Sequence, residues 1–191
     1  MRGTEYDEQQ QERREQQYKK KMNMQFVTFA RQIEEYTERM QADSSVTFPK
    51  IKFDVPLRKL AFKGVAQKGM ATITPTVNCL VELVNYPFTV IFLEDIDRVF
   101  FERVDFNLRS CDMVIIFKDI YRNPAQIKSI EMKSLDMIKK WLEQVGITVS
   151  ELSKSIAWPK VLAYLRKDPE AFFKEGGWSI LDVCSFLFLR I

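Results

Sequence analysis

The chain has 191 residues, a net charge of +3 and 46% hydrophobic residues, the balance of an ordinary globular chain long enough to bury one core. It contains no histidine, which removes the commonest general base and metal ligand, and its three cysteines, Cys79, Cys111 and Cys184, are too scattered for a zinc spacing or a disulfide framework. A charge this mild does not leave the footprint of a strongly basic DNA-binding module.

Nothing in the chain has the roughly 18 apolar residues that a membrane span needs. The opening "MRGTEYDEQQQERREQQ" lacks the apolar core of a signal peptide. Cysteine usage suggests reduced thiols and a cytosolic or nuclear home.

Residues 5–42 predict one long helix. Tyr18, Met22, Phe26, Phe29, Ile33, Tyr36 and Met40 recur at steps of three and four, which draws a single apolar stripe. Before Tyr18 the stripe is lost and the helix is expected to be solvated. Asp43-Ser44-Ser45 is the expected stop. From Phe48 the period becomes two. In "IKFDVPL", residues 51–57, Ile51, Phe53, Val55 and Leu57 fall on one side and Lys52 and Asp54 on the other, and Pro56 restricts this strand to an edge or an end. "LAFKGV", "MATITP", "CLVELV", "FTVIFL", "DIDRVFFERV", "VDFNL", "DMVIIFKD" and "AQIKSIEM" continue the series as about seven short strands. Short connections favour antiparallel neighbours.

Residues 134–146 predict a helix. Ser134 is placed to cap it, Leu135, Ile138, Trp141, Leu142 and Val145 form its apolar face, and Gly146 ends it. Strands followed by one plugging helix give an α+β class: an antiparallel barrel or sandwich of pleckstrin-homology type.

A second helical segment follows. Trp158, Val161, Leu162 and Leu165 share one face, and Pro169 prevents that helix from continuing. Asp168 suits the N-cap of a new short helix with Pro169 at N1, which stops at Gly176-Gly177. The result is a helical elbow with Phe172, Phe173 and Trp178 on its second arm. Adjacent residues on a helix point about 100° apart, so Phe172 and Phe173 cannot both face one core. Packing and partner binding are both open for these aromatics. Lys160, Arg166, Lys167 and Lys174 flank them.

Other polar groups read as structural. Glu102, Arg103, Asp105, Asp112, Lys118 and Asp119 are expected to form cross-strand pairs on the solvent face. The turn 63–69, with Lys63 and Lys68, is a candidate phosphoinositide or peptide contact of a pleckstrin-homology scaffold. No nucleophile–base pair and no cofactor loop is present, so the chain is not expected to be an enzyme and needs no cofactor.

Several stretches together resemble a known family. "DVPLRKLAFKGV", "PTVNCLVEL", "PFTVIFLEDIDRVFFERVDFNLRSCDMVIIFKD", "SLDMIKKWLEQVGI" and "WPKVLAYLRKDPEAFFKEGGWSILD" resemble, in order, the C-terminal half of the middle domain of the FACT complex large subunit, over about residues 19–182. The resemblance implies a histone chaperone of the nucleus and chromosome, with tandem pleckstrin-homology-like modules, the second carrying a helical U-turn that contacts histones. Four segments are expected: an N-terminal helix (1–46), a pleckstrin-homology-like domain (47–147), the C-terminal helical U-turn (148–182) and an apolar tail outside the family pattern (183–191).

On the U-turn, Tyr164, Leu165, Lys167, Phe172 and Phe173 are expected as histone contacts and Trp158 and Trp178 as packed anchors. Core histones, as dimer or tetramer, are the implied partners, with the small FACT subunit joining through other parts of a longer chain. DNA contact is expected to be weak. The family continues into an acidic tail, whereas "VCSFLFLRI" here is apolar. A fragment, a truncated paralogue and a read-through gene model all fit that departure, and a chain unable to act alone is one of the readings left open.

Overall fold

Helix α1, Arg2–Asp43, realises the long periodic segment. The computed structural model describes residues 2–43 and 51–183; the expected start of the strand pattern at Phe48 and the tail 184–191, with Cys184, lie outside them. The chain divides into two compact units, residues 1–53 and 54–191. In the first, the Phe53 amide donates to Glu34 Oε1 at 2.7 Å, so the returning segment meets α1 in its C-terminal quarter. Tyr18, Phe26, Phe29 and Tyr36 of the stripe are exposed.

In the second unit the alternating segments become strands β1 (Phe62–Val65), β2 (Met70–Pro75), β3 (Cys79–Glu82), β4 (Thr89–Phe92), β5 (Ile96–Glu102), β6 (Ser110–Phe117) and β7 (Ala125–Glu131). Helix α2, Met132–Gln144, follows, and then an eighth strand, β8, Thr148–Leu152. The sheet order is β4-β3-β2-β1-β7-β6-β5-β8. Neighbours are antiparallel except β5 and β8, which run parallel from Arg98 opposite Thr148 to Glu102 opposite Leu152.

Inward side chains of β1 to β7, among them Phe62, Ile73, Leu80, Ile91, Val99, Phe101, Met113 and Ile127, meet Leu135, Ile138, Trp141 and Leu142 of α2 in one cluster. This is the expected pleckstrin-homology-like arrangement of a curled sheet closed by a helix. Gly146 at φ +80° follows α2 in the left-handed conformation that ends it.

Five expectations are corrected. Residues 51–57 form no strand and share only a bridge between Pro56 and Thr76. The cause is Asp54, whose carboxylate clasps the next turn: it accepts from the amides of Val77 at 3.0 Å and Asn78 at 3.1 Å and lies 2.6 Å from the Thr76 hydroxyl. "VDFNL" is a turn in which the Asn107 amide donates to Asp105 Oδ1, leaving Phe106 fully exposed. Helix α2 starts before Ser134, and Glu131 at its N-cap makes no side-chain cap. Val145 is exposed rather than part of the apolar face of α2. Strand β8, finally, lies within the segment 148–182 expected to be helical throughout, so the barrel's sheet extends beyond residue 147.

Candidate functional site

The elbow forms as its residues dictate. Helix α3, Trp158–Lys167, has Pro159 in its first turn and ends at Asp168. Helix α4, Pro169–Lys174, begins under the Asp168 cap, whose Oδ1 accepts from the Ala171 amide at 2.9 Å. Gly176 and Gly177, both at positive φ, then turn the chain into Trp178.

What positions the elbow is the outer face of β5 and β6. A strand sends alternate residues to opposite sides, so Val99 and Phe101 enter the barrel while Arg98, Phe100 and Glu102 face outward. All three outward residues engage the elbow's two tryptophans. The Arg98 guanidinium lies over the Trp178 ring at 5.4 Å. Phe100 packs on Trp158 and Trp178 with centroids 4.9 Å and 5.8 Å away. Glu102 Oε1 accepts from Trp158 Nε1 at 2.8 Å and from the Ile156 amide at 2.7 Å. Val114 and Ile116 of β6 complete the seat for Val161, Leu162, Leu165, Phe172 and Leu181.

Glu102 therefore corrects the solvent-face expectation: it is buried, 5% exposed, and tied to the elbow. Among the other residues of that group, Arg103 donates to Asp112 Oδ1 at 2.8 Å. Arg166 fastens the far side. Its Nε donates to the Ile120 carbonyl at 2.7 Å and one terminal nitrogen to the Tyr121 carbonyl at 3.1 Å, in the loop after β6. Of the cations expected to flank the aromatics, Arg166 thus faces inward, and Lys174 pairs with Glu170 at 3.7 Å.

The expected contact residues divide. Leu165 is 0% exposed and Phe172 2% exposed; both are packing residues, because α3 and α4 turn these side chains onto β5 and β6. Trp158 and Trp178 are buried beside them. Phe173 is 56% exposed and Tyr164 39%, and Lys167 is exposed as well.

These two outer aromatics are held from below. Phe172 meets Phe173 edge-on at 5.3 Å and Tyr164 at 6.1 Å. The Tyr164 hydroxyl donates to Glu175 Oε2 at 2.5 Å, which raises its pKa above the ordinary tyrosine value. Gly177 supplies the seat of Phe173: at φ +58° any Cβ is strained and would lie 3.1 Å from the Phe173 ring. The outcome is a ledge of two exposed aromatics braced on a buried third.

Other candidate chemistry is thin. No group of three metal-ligating side chains exists among the described residues. Burial pushes the Cys111 thiol up to about 11, which keeps it protonated. In the turn expected to bind phosphate, Lys63 and Lys68 are exposed, but Lys63 lies near Glu131, whose pKa is lowered first by its ion pair with Lys133 and in part by Lys63. No described helix is long and apolar enough to cross a membrane.

Residues 63–151 match the model of the histone chaperone Rttp106-like middle domain. The chain is 39% identical over 177 residues to the FACT complex subunit SPT16 of Arabidopsis thaliana, covering 93% of this chain and 16% of that protein. It is 37% identical over the same length to the FACT complex subunit spt-16 of Caenorhabditis elegans, and 39% identical over 161 residues to its counterpart in Mycosarcoma maydis. It spans about 16% of the length of the first two relatives. Sequence reasoning missed Arg98, Phe100 and Glu102 as the elbow's seat. The signal lay in "RVFFE", where an aromatic sits on the strand side that also holds charges.

Proposed function

We propose that this chain, which belongs to the FACT large-subunit family, binds core histones through the ledge formed by Tyr164 and Phe173 with Lys167 beside it. The single observation that carries the reading is the split within the elbow: Phe172 is sunk into the sheet while Phe173 and Tyr164, braced against it, remain exposed. Exposed, rigid aromatics are the side chains that carry binding energy at protein interfaces.

The mechanism is competition. A histone surface is uncovered when its contacts with DNA loosen. A module that covers that surface stabilises the open state by the difference in its affinity for the open and closed forms. Such a module assists both disassembly and reassembly of nucleosomes during transcription, replication and repair, and needs no hydrolysis. It acts in the nucleus, on chromatin. The small FACT subunit and weak DNA contacts belong to the same reading, through the longer protein.

The test is a titration of the full chain with labelled histone dimers and, separately, tetramers at physiological salt. Replacing Phe173 and Tyr164 by serine is expected to weaken binding at least about tenfold, the loss of one good aromatic anchor. The unfolding midpoint should stay near that of the parent. Equal affinity in the folded double variant would remove the ledge from the account. Leu165→Asp or Phe172→Ala would be misleading probes, because both strip the core beneath.

A further inference from the structure

We infer that a second copy of this chain pairs with the free edge of β4, joining two sheets edge to edge about a two-fold axis. Strand β4 ends the sheet; among the described residues β3 is its sole strand neighbour. Its other edge presents backbone groups that an extended strand can satisfy. Natural edge strands are shielded by charges, a bulge or a covering element; residues 83–93 carry no charge, the register with β3 runs unbroken from Cys79 opposite Phe92 to Glu82 opposite Thr89, and among the described residues no strand lies on the other edge.

The surface around this edge is apolar. Leu83, Val84, Tyr86, Phe88, Val90 and Phe92 are between 44% and 79% exposed. Tyr86 and Phe88 brace each other edge-on at 5.9 Å. Six such side chains offer on the order of 600 Å², more than scattered surface residues supply and close to the roughly 800 Å² per partner of a stable interface.

Chemistry selects the occupant. The backbone edge requires a strand, the surface requires apolar side chains, and the lack of charge removes repulsion when the edge meets itself. Opposed residues of antiparallel strands share a face, so the axis must pass through a residue. At Ile91 it sets Val90 of each copy against Phe92 of the other on the outer face. Glu94 then lies opposite Phe88, so acid never faces acid.

The experiment is sedimentation of the full chain across the micromolar range. The parent is expected to double its mass as concentration rises. Val90→Lys is expected to weaken pairing at least about tenfold, since it puts a charge on the edge. Its side chain points away from the core, so the unfolding midpoint should hold. Phe92→Glu should do the same. Mixing the two variants should restore dimers, because positions 90 and 92 of opposite copies then carry opposite charges. A parent that stays monomeric overturns the proposal. So does a dimer indifferent to Val90→Lys, or one dissolved only by Phe26→Glu on α1.

Discussion

Strands β4 and β5 carry aromatic side chains on the outward side of the same sheet, and their fates differ. On β5, Phe100 is fully buried beneath the elbow; on β4, Phe92 remains exposed. The strands are alike in pattern. What separates them is a cover on the same chain, positioned by polar ties that β4 lacks: Glu102 to Trp158 and Ile156, and Arg166 to the loop after β6. An apolar outer face is therefore a request for a partner, and among the described residues the chain answers it over β5 and not over β4.

The largest test of that contrast removes the same kind of side chain at both ends. Trp158→Ala should cost about 3–5 kcal/mol in urea unfolding, as for other large buried aromatics, while Phe92→Ala should change stability by at most about 0.5 kcal/mol. Equal effects would mean that the elbow does not roof β5 in solution. Next is the buried carboxylate. Glu102→Leu leaves the Trp158 indole and the Ile156 amide without an acceptor and should cost about 1–3 kcal/mol. Glu102→Gln, which keeps an acceptor oxygen, should recover part of that loss, and a red shift of tryptophan emission should accompany Leu but not Gln.

A smaller effect is expected at the cap of the second arm. Asp168→Ala should cost about 1 kcal/mol, with faster amide exchange confined to the first turn of α4. The smallest concerns Asp54. Desolvation pushes its pKa up, but hydrogen bonds from Thr76, Asn78, Val55 and Val77 outweigh it and leave the value lowered from 3.8. Its contribution is therefore complete above the ordinary carboxylate value and is lost as pH falls through the folded-state value. Asp54→Asn should flatten the acid limb of the stability curve slightly, and a limb unchanged in shape would count against the clasp. This site is exposed, so solvent screening keeps the effect small.

Much of this architecture was legible before any coordinates. The stripe of α1, the buried face of α3 and the Asp168-Pro169 bend are local patterns, written in residues three or four apart or in immediate neighbours. Phe172 and Phe173 were separable in principle for the same reason, although which one turned inward was not. The failures share a different cause. Strand β8 pairs with residues about fifty positions upstream, and its five residues carry too little alternation to stand out after a helix stop. Glu102 is an acid on a strand's polar side, and its burial comes from a tryptophan 56 positions away. Residues 51–57 alternate well but lose their strand because Asp54 bonds to a turn twenty-two to twenty-four positions later.

By itself, then, the sequence determined the elements and their faces: a long helix with one apolar stripe, a curled antiparallel sheet with a plugging helix, and an elbow broken at Pro169. Periodicity and turn chemistry act over a few residues, so a single strand of text carries them. Only the tertiary structure decided which apolar faces found cover. It sank Leu165 and Phe172, left Tyr164 and Phe173 outside, buried Glu102 and exposed β4, because burial depends on which distant surfaces meet, and no residue carries that information alone.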